Sequence, residues 1–458
     1  MTRTRSTAIS LRRVLAPGLA TITVALLAGC SGDDQSASAT VASSATAAAT
    51  EDSQTSESSA VGDTATADQS DLDLGAVGSL DSAEVHEISI AVEPADYEAM
   101  LEDYSSTGNK EWIEATVTID GATYERVGLR LKGNSSLRRI AGSDGREPAT
   151  SSTTDDPASL PWLIRLDKYV DDQSHDGLTE LVVRSNSSAT ALNEAVALEL
   201  LELAGLAAQD AVAASFSVNG SDPVLRLVIE HPDDVWMAEV FDATGALYKA
   251  ESTGDYGYRG DDPDSYAEVF DQEAGADNTD LTPLIEFLDF INNADDVTFE
   301  AELGDRLDVD AFATYLAMQE LLDNFDDIDG PGNNSYLHYD TDAGRFTVVP
   351  WDYNLAFGAG PGGGTAPGRI PGGERPANEV GGPRVLAGRS NVLVERFLAV
   401  DAWQALYDER IDELRAELYE SGIADNVLTS WTAIITSSGL VDDATIAAES
   451  DQIAQQLD

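Results

Sequence analysis

Carboxylate and amide side chains are concentrated in two short stretches of the sequence, at residues 324–334 and 350–354. The side chains concerned are those of Asp326, Asp329, Asn333, Asn334, Asp352 and Asn354. Oxygen ligands of this kind suit Mg²⁺, which commonly binds one or two carboxylates together with the phosphates of a substrate. The pattern therefore predicts phosphoryl transfer and argues against hydrolysis by a Ser/His or Cys/His pair.

The segment between these stretches predicts how they are positioned. Residues 336–339 and 345–349 have the pattern of two strands joined by a turn, so both acidic stretches should lie at the same end of one hairpin. A helix predicted over residues 310–322 leads into the first stretch. Protein kinases have the same order: an Asp and an Asn on one loop, a short hairpin, and then the metal-binding Asp.

Further elements indicate the fold class. Strands are predicted at residues 86–92, 112–119, 124–132, 215–218 and 224–230, with hairpin turns at Asp120-Gly121 and Asn219-Gly220. Helices are predicted at residues 190–206 and 392–418, and a Gly/Pro-rich loop at residues 357–382. Strands early in the chain and helices late in it predict an α+β fold without regular βαβ alternation.

The N-terminus has the features of an export signal over residues 1–30. Arg12 and Arg13 precede an apolar run at residues 14–28, which is too short and too broken to be a good membrane span. The run ends in Leu27-Ala-Gly-Cys30, which resembles a bacterial lipobox, and Cys30 is the only cysteine. We therefore expect lipid attachment at Cys30, which would anchor the exported protein to the outer face of the cell membrane.

Residues 31–80 have the composition of a tether. They are rich in Ser, Ala, Thr, Asp and Glu and contain no aromatic residue, and no Lys or Arg occurs between Arg13 and Lys110. Such a segment cannot bury enough apolar surface to order itself. We expect a disordered tether over residues 31–80 and one folded domain over residues 81–458.

The charge of the chain limits its partners. It contains 26 Lys+Arg against 83 Asp+Glu, a formal net charge of -57. A surface of this sign repels nucleic acid and anionic lipid. We therefore expect no nucleic-acid partner, and contact with the membrane only through the N-terminal lipid.

Six stretches together resemble the kinase family of spore-coat protein H (CotH), and they span nearly the whole folded region. They are Leu131-Lys-Gly-Asn-Ser-Ser136, Leu163-Ile-Arg-Leu-Asp-Lys-Tyr169, Asp176-Gly-Leu-Thr-Glu-Leu181, Leu247-Tyr-Lys249, residues 324–336 and Val349-Pro-Trp-Asp-Tyr-Asn-Leu-Ala-Phe-Gly358. The resemblance implies an atypical protein-kinase-like fold. It also implies transfer of the γ-phosphoryl group of ATP, with Mg²⁺ or Mn²⁺, to a hydroxyl of an extracellular or cell-surface protein.

The resemblance also implies roles for individual residues. Asp352 would bind the metal, Asp326 would be the catalytic Asp and Asn334 its amide partner. Lys249 would bind the nucleotide phosphates, and Lys132 would either do the same or hold the Gly133-Asn-Ser-Ser136 turn. Glu230 could be the acidic partner of one of these lysines. Asn354 would be a further metal-site residue, although the family commonly has a second Asp there.

Two questions stay open at this stage. Asp329 competes with Asp326 as the catalytic base, because its five-residue distance from Asn334 matches that of ordinary protein kinases. The alternative function is a surface binding or structural module that kept the fold and lost catalysis. A metal-dependent transferase with another phosphorylated donor is the third possibility.

Overall fold

The computed structural model describes residues 72–133, 135–137, 156–241, 245–251, 255–275, 280–324, 326–328, 334–360, 364–365 and 391–457. These residues belong to one compact unit. The predicted export signal and most of the predicted tether, with Cys30, lie outside the described residues, and so do Asp329 and Asn333.

Fifteen strands are described in this part of the chain. They are β1 (Ala76–Val77), β2 (Leu80–Asp81), β3 (Val85–Val92), β4 (Ile113–Ile119), β5 (Ala122–Leu131), β6 (Trp162–Arg165), β7 (Glu180–Val183), β8 (Ala211–Val218), β9 (Val224–Glu230), β10 (Gly245–Ala250), β11 (Phe270–Ala274), β12 (Ser335–Asp340), β13 (Arg345–Pro350), β14 (Ala359–Gly360) and β15 (Gly364–Thr365).

Ten α-helices are described alongside them. They are α1 (Pro94–Thr107), α2 (Leu192–Leu203), α3 (Asp234–Phe241), α4 (Thr282–Asn293), α5 (Asp296–Arg306), α6 (Val309–Leu321), α7 (Val392–Leu398), α8 (Asp401–Leu414), α9 (Ile423–Ser438) and α10 (Asp443–Leu457).

Seven strands close into a barrel in the order β3-β4-β5-β6-β7-β9-β8. All neighbouring pairs are antiparallel except β3 and β8, whose parallel pairing closes the barrel. Large apolar side chains such as Trp162, Leu129 and Phe216 are fully buried in its core. Because side chains alternate along a strand, the same strands present a second set of residues outward.

Two tight turns form the barrel hairpins that the sequence predicts. Asp120 and Gly121 have φ of 48° and 84°, and Asn219 and Gly220 have φ of 52° and 74°. Left-handed conformations at both central positions match the twist of the flanking strands, which is why Asn-Gly and Asp-Gly pairs favour such turns. Both predicted hairpins are confirmed.

A second sheet carries the predicted acidic hairpin. Its order is β11-β10-β12-β13 and all pairs are antiparallel. Helix α6 begins at the N-cap Asp308, which accepts a hydrogen bond from Ala311 N–H, and packs beside β13. Its buried residues join one large core with the sheet and the C-terminal helices. This packing fixes the chain just before the first acidic loop.

The mixed sheets and helices confirm the α+β class, and three details differ from expectation. Described structure begins before residue 81, because Val77 and Leu80 of the β1–β2 hairpin are buried in the barrel core. Strands β14 and β15 pair within the predicted loop at residues 357–382. Helices α9 and α10 extend the core beyond residue 418. Among the described residues, no helix is long and apolar enough to cross a bilayer.

Candidate functional site

Both acidic loops lie at one end of the β12–β13 hairpin, as the sequence predicts. Ser335, the first residue of β12, pairs with Pro350, the last residue of β13. Asn334 therefore directly precedes the hairpin, and Asp352 follows it by two residues. Lys249 on β10 pairs with Tyr336 on β12, so this lysine belongs to the same end of the sheet.

Asp326 and Asn334 are in direct contact. The Asn334 side-chain amide donates hydrogen bonds to the backbone oxygen of Asp326 at 2.9 Å and to its carboxylate Oδ2 at 3.1 Å. The contact spans the loop and fixes the orientation of the Asp326 carboxylate. The structure thus brings together the predicted catalytic Asp and its amide partner.

Buried polar side chains connect the two loops. Asn324 donates a hydrogen bond to Gln319 Oε1 at 3.0 Å, and Gln319 in turn donates to the hydroxyl of Tyr353. Tyr353 is fully buried and directly follows Asp352. The loop of Asp326 and the loop of Asp352 are therefore held in a fixed relation.

Asp352 has an unusual backbone conformation and a cationic neighbour. Its φ is 63°, in the left-handed region that non-glycine residues seldom adopt and that recurs at functional sites. Arg184 donates a hydrogen bond to its Oδ1 and is itself held by both carboxylate oxygens of Glu194, at 2.8 and 3.0 Å. Arg184 and Glu194 thus fix one oxygen of the predicted metal-binding carboxylate.

The burial of this charged group changes its titration. Burial raises the pKa of Glu194 to about 7, against the opposing effect of Arg184. Burial would lower the pKa of Arg184, but Asp352 and Glu194 outweigh it and raise the pKa further above its ordinary value. Arg184 therefore stays charged beside Asp352 at any physiological pH.

The backbone of Asn354 is held in place by two hydrogen bonds. Its carbonyl oxygen accepts hydrogen bonds from Ser187 Oγ at 2.8 Å and from the side-chain amide of Asn193 at 2.6 Å. Its own side-chain amide makes no hydrogen bond to another described residue. The structure therefore leaves this amide available for a ligand.

Lys249 forms an ion pair with a carboxylate that directly follows its own strand. Its ammonium donates to Glu251 Oε1 at 2.8 Å. Burial would lower the pKa of Lys249, but Glu251 and Glu273 outweigh it and raise this pKa above its ordinary value. Lys249 is therefore a permanent cation at the site.

Lys132 projects from the outer side of the barrel into a buried network. Its Nζ lies 2.7 Å from His231 Nε2 and 3.7 Å from Glu273 Oε1, and His231 Nδ1 lies 2.7 Å from Glu180. Burial lowers the pKa of Lys132 to about 8, although Glu273 opposes this. Burial alone would raise the pKa of Glu273. Lys132 and His231 outweigh this effect and lower the pKa of Glu273 to about 2.

Trp351 joins these parts into one site. Its ring centroid lies 5.8 Å from Lys132 Nζ, 5.9 Å from Arg184 Cζ and 5.2 Å from the Tyr336 ring. Lys132 and the Arg184–Asp352 pair therefore approach the same indole. The indole contacts Tyr336, which pairs with Lys249 on the neighbouring strand. The buried hydroxyl of Tyr336 has no hydrogen-bond partner among the described residues, which fits a site that a polar ligand completes.

Glu230 is not part of this arrangement. Its carboxylate accepts a hydrogen bond from Asp210 N–H at 3.0 Å, and burial together with Asp210 raises its pKa well above the ordinary value. The expected pairing of Glu230 with a nucleotide-side lysine is therefore not found in the described structure. Glu273 and Glu251 are the acidic partners of Lys132 and Lys249.

The four lysines of the chain are linked to one another through shared neighbours. Lys132 contacts Glu273 and His231, which line a cavity of about 190 Å³ together with Trp112, Arg130 and other polar residues. Lys168 Nζ lies 5.0 Å from the Trp112 ring centroid. Burial and the charge of nearby Lys249 lower the pKa of Lys110 to about 8. A chain with a net charge of -57 thus places its few lysines near one another.

The residues present fit a magnesium site that a nucleotide would complete. Among the described residues, no group of three or more His, Cys, Asp or Glu side chains is placed to hold a metal alone. Mg²⁺ commonly uses only one or two carboxylates plus substrate phosphates and water. Asp352 and the side-chain amides of Asn334 and Asn354, the residues that the family resemblance assigns to the metal, are of these donor types.

Sequence reasoning missed several residues of the site. Arg184, Glu194, His231 and Glu273 belong to no recognisable motif and come together only in the fold. The small number of lysines was the one signal available in the sequence. Because the lysines are so few, their positions could have been compared directly as candidate site residues.

Two comparisons with known proteins concern this part of the chain. The family model of the CotH kinase proteins matches residues 129–456, which include every described candidate residue from Lys132 to Asn354. Inner spore coat protein H of Bacillus subtilis (strain 168) is 24% identical to this chain over 168 residues. That alignment covers 36% of this chain and 45% of the relative, less than half of its length.

Proposed function

Because this chain belongs to the CotH kinase protein family, we propose that it is an atypical, metal-dependent protein kinase with a kinase-like fold. It would transfer the γ-phosphoryl group of ATP, with Mg²⁺ or Mn²⁺, to a hydroxyl of an extracellular or cell-surface protein. The observation that carries this proposal is that Lys132 and Lys249 both interact with Glu273, and that Lys132 and the Arg184–Asp352 pair meet at Trp351.

Electrostatics favours phosphates as the ligand beside Lys132 and Lys249. The surface of an acidic protein repels polyanions, so a nucleotide triphosphate needs a local concentration of positive charge. Lys249 and Lys132 provide it where burial strengthens electrostatic interactions. Phosphoryl transfer depends mainly on such positioning and charge neutralisation.

The remaining residues take the roles that the family resemblance implies. Asp326 or Asp329 would accept the proton of the acceptor hydroxyl. Asn334, which orients Asp326, would also contribute to metal binding, together with Asp352 and Asn354. A bound Mg²⁺ would neutralise charge on the phosphates. Arg184 and Glu194 would hold Asp352 in place.

The proposed location is the outer face of the cell membrane. The export signal at residues 1–30, lipidation of Cys30 and the acidic tether at residues 31–80 all rest on the sequence. In this arrangement the lipid is the only membrane contact and the acceptor is a protein outside the cell.

A catalytically inactive binding module is the second candidate. Two observations favour it: Arg184 already binds one oxygen of Asp352, and Asn354 supplies no negative charge. A cation at the metal carboxylate would weaken metal binding by charge repulsion. The inactive module predicts that ATP affinity does not depend on a divalent metal, whereas the kinase predicts that it does.

Lys249→Met is expected to weaken the binding of ATP by about ten- to hundredfold, since a charge-assisted contact is worth roughly 1.5–3 kcal/mol. The change keeps the length of the side chain and removes its charge. Binding of adenosine should be unaffected, because adenosine has no phosphate. Calorimetric titration of both ligands at saturating Mg²⁺ measures the difference.

Arg415→Met is the matched control for Lys249→Met, because Arg415 is exposed and makes no ion pair with another described residue. It should bind both ligands as the parent does. Equal ATP affinity of the parent and Lys249→Met would exclude Lys249 from the phosphate site.

The affinity for ATP should fall as the pH rises above about 8. The pKa of Lys132 is lowered to about 8, so this cation is lost at a pH where an ordinary lysine keeps its proton, and anion binding needs the charged form. Above that pKa, affinity should drop by up to about tenfold per pH unit, until a contact of roughly 1.5–3 kcal/mol is lost. Calorimetry from pH 7 to 9.5 measures the profile.

Lys132→Met should remove the part of this decline that Lys132 causes, and any decline that remains near pH 8 is due to Lys110, whose pKa is also lowered to about 8. Lys249→Met should leave the shape of the profile unchanged because the pKa of Lys249 is raised. A parent profile that stays flat to pH 9.5 would show that Lys132 does not bind the phosphates.

A further inference from the structure

Two cations flank Trp112 at the edge of the barrel. The Arg130 guanidinium carbon lies 4.7 Å and Lys168 Nζ lies 5.0 Å from the Trp112 ring centroid. Trp112 and Arg130 line the same cavity as the Lys132 partners His231 and Glu273. Lys168 is exposed and Trp112 is half-buried, so this group is at the solvent side of the cavity.

Neither cation has an ion-pair partner among the described residues. The Nε atom of Arg130 is buried and makes no hydrogen bond. This is unexpected in a chain with 83 acidic residues, where most described arginines and lysines bind a carboxylate. Buried donors are normally satisfied, so the unsatisfied Nε leaves the Arg130 guanidinium, which lines the cavity, without its full set of acceptors.

The carboxylates of the same cavity already have partners. Asp167 binds Arg165 at 2.8 Å, Asp233 accepts hydrogen bonds from Val235 and Trp236 N–H, and Asp234 accepts one from Gly275 N–H. Glu180 and Glu273 belong to the network of His231 and Lys132. The lining as a whole carries more carboxylates than cations, but none of these carboxylates forms an ion pair with Arg130 or Lys168, so the two cations at Trp112 remain open to an external anion.

Gly128 makes this grouping possible. A Cβ atom at this position of β5 would lie 2.5 Å from Lys168 Cβ and 3.0 Å from the Trp112 ring. Any side chain here would displace both residues. The absence of a side chain lets the Lys168 stem and the indole pack directly on the β5 backbone.

We propose that Arg130, Lys168 and Trp112 form an anion-binding subsite for a phosphate or carboxylate group, separate from the phosphate contacts of Lys132 and Lys249. Its ligand is either a free phosphate-type anion or an anionic side chain of the acceptor protein. The subsite is independent of catalysis, and only its use for the acceptor rests on the proposed kinase function.

The test is calorimetric titration of the full chain at constant ionic strength without divalent metal. The probes are inorganic phosphate and a short neutral peptide with one phosphoserine, each compared with its uncharged counterpart. Lys168→Met and Arg130→Gln should each weaken the binding of both probes by about tenfold or more, the scale of one charge-assisted contact. Arg415→Gln should bind as the parent does.

The two probes distinguish the sources of the anion. Tighter binding of the phosphopeptide than of free phosphate supports the acceptor protein as its source, and equal binding supports a free anion.

Two results would overturn the subsite. One is a parent protein that binds neither probe. The other is phosphate binding that Lys249→Met abolishes and Lys168→Met leaves unchanged, because the anion would then occupy the nucleotide site. In both cases metal-dependent ATP binding still tests the proposed function separately.

Discussion

Asp352→Asn is expected to abolish the metal dependence of ATP binding. The change removes the charge of the carboxylate that the fold presents in a left-handed conformation at the end of the hairpin. Loss of partners outside the metal's own ligands already costs 10–100-fold in metal affinity, so loss of a direct ligand should exceed about 100-fold. Calorimetric titration with ATP and Mg²⁺ measures the effect.

The folded structure should survive this substitution. Arg184 keeps its two contacts with buried Glu194, so no unpaired buried cation results. Asp412→Asn on α8 is the matched control, since Asp412 is exposed and loses the same charge. Asn354→Asp should have the opposite effect and tighten metal binding by adding a carboxylate. If Asp352→Asn binds Mg²⁺-ATP like the parent, Asp352 is not the metal ligand.

Asp326→Asn is expected to lower turnover by about 10²–10⁴-fold, the usual scale for loss of a general base. Its carboxylate is oriented by Asn334, whereas the nucleotide phosphates are assigned to the lysines, so ATP affinity should hardly change. The measurement is phosphate release or transfer from ATP under saturating metal and nucleotide.

The same substitution at Asp329 decides between the two candidate bases. Only the variant of the true base should lose turnover while keeping ATP affinity. Full turnover in both single variants would remove this loop from the proton transfer.

Local signals in the sequence predicted the hairpins and the position of the acidic loops. The Asp120-Gly121 and Asn219-Gly220 turns depend on residues that are adjacent in the sequence. The pairing of β12 with β13 likewise depends on residues that are close in the sequence. Barrel closure was not predictable in this way. It depends on the parallel pairing of β3 with β8, which joins residues such as Ile88 and Phe216 that are far apart in the sequence.

The candidate site was predictable only where its residues share a motif. Asp326, Asn334 and Asp352 are close in sequence, but the pairing of Arg184 with Asp352 depends on tertiary packing. Glu230 illustrates the limit. It pairs with Leu181, whose side chain faces the barrel core, while the next residue, His231, contacts Lys132. Neighbouring residues of a strand face opposite sides, so a one-residue difference decides which one reaches Lys132.

The central claim is that the site formed by Lys132, Lys249 and Asp352 binds a nucleotide with a divalent metal. A thermal-unfolding series with ATP, with and without Mg²⁺ or Mn²⁺, tests it most directly. Specific binding at a hundred times the dissociation constant should stabilise the protein by about 2.7 kcal/mol, and only when ATP and metal are both present. No stabilisation by ATP with either metal, or the same stabilisation without metal, would contradict the claim.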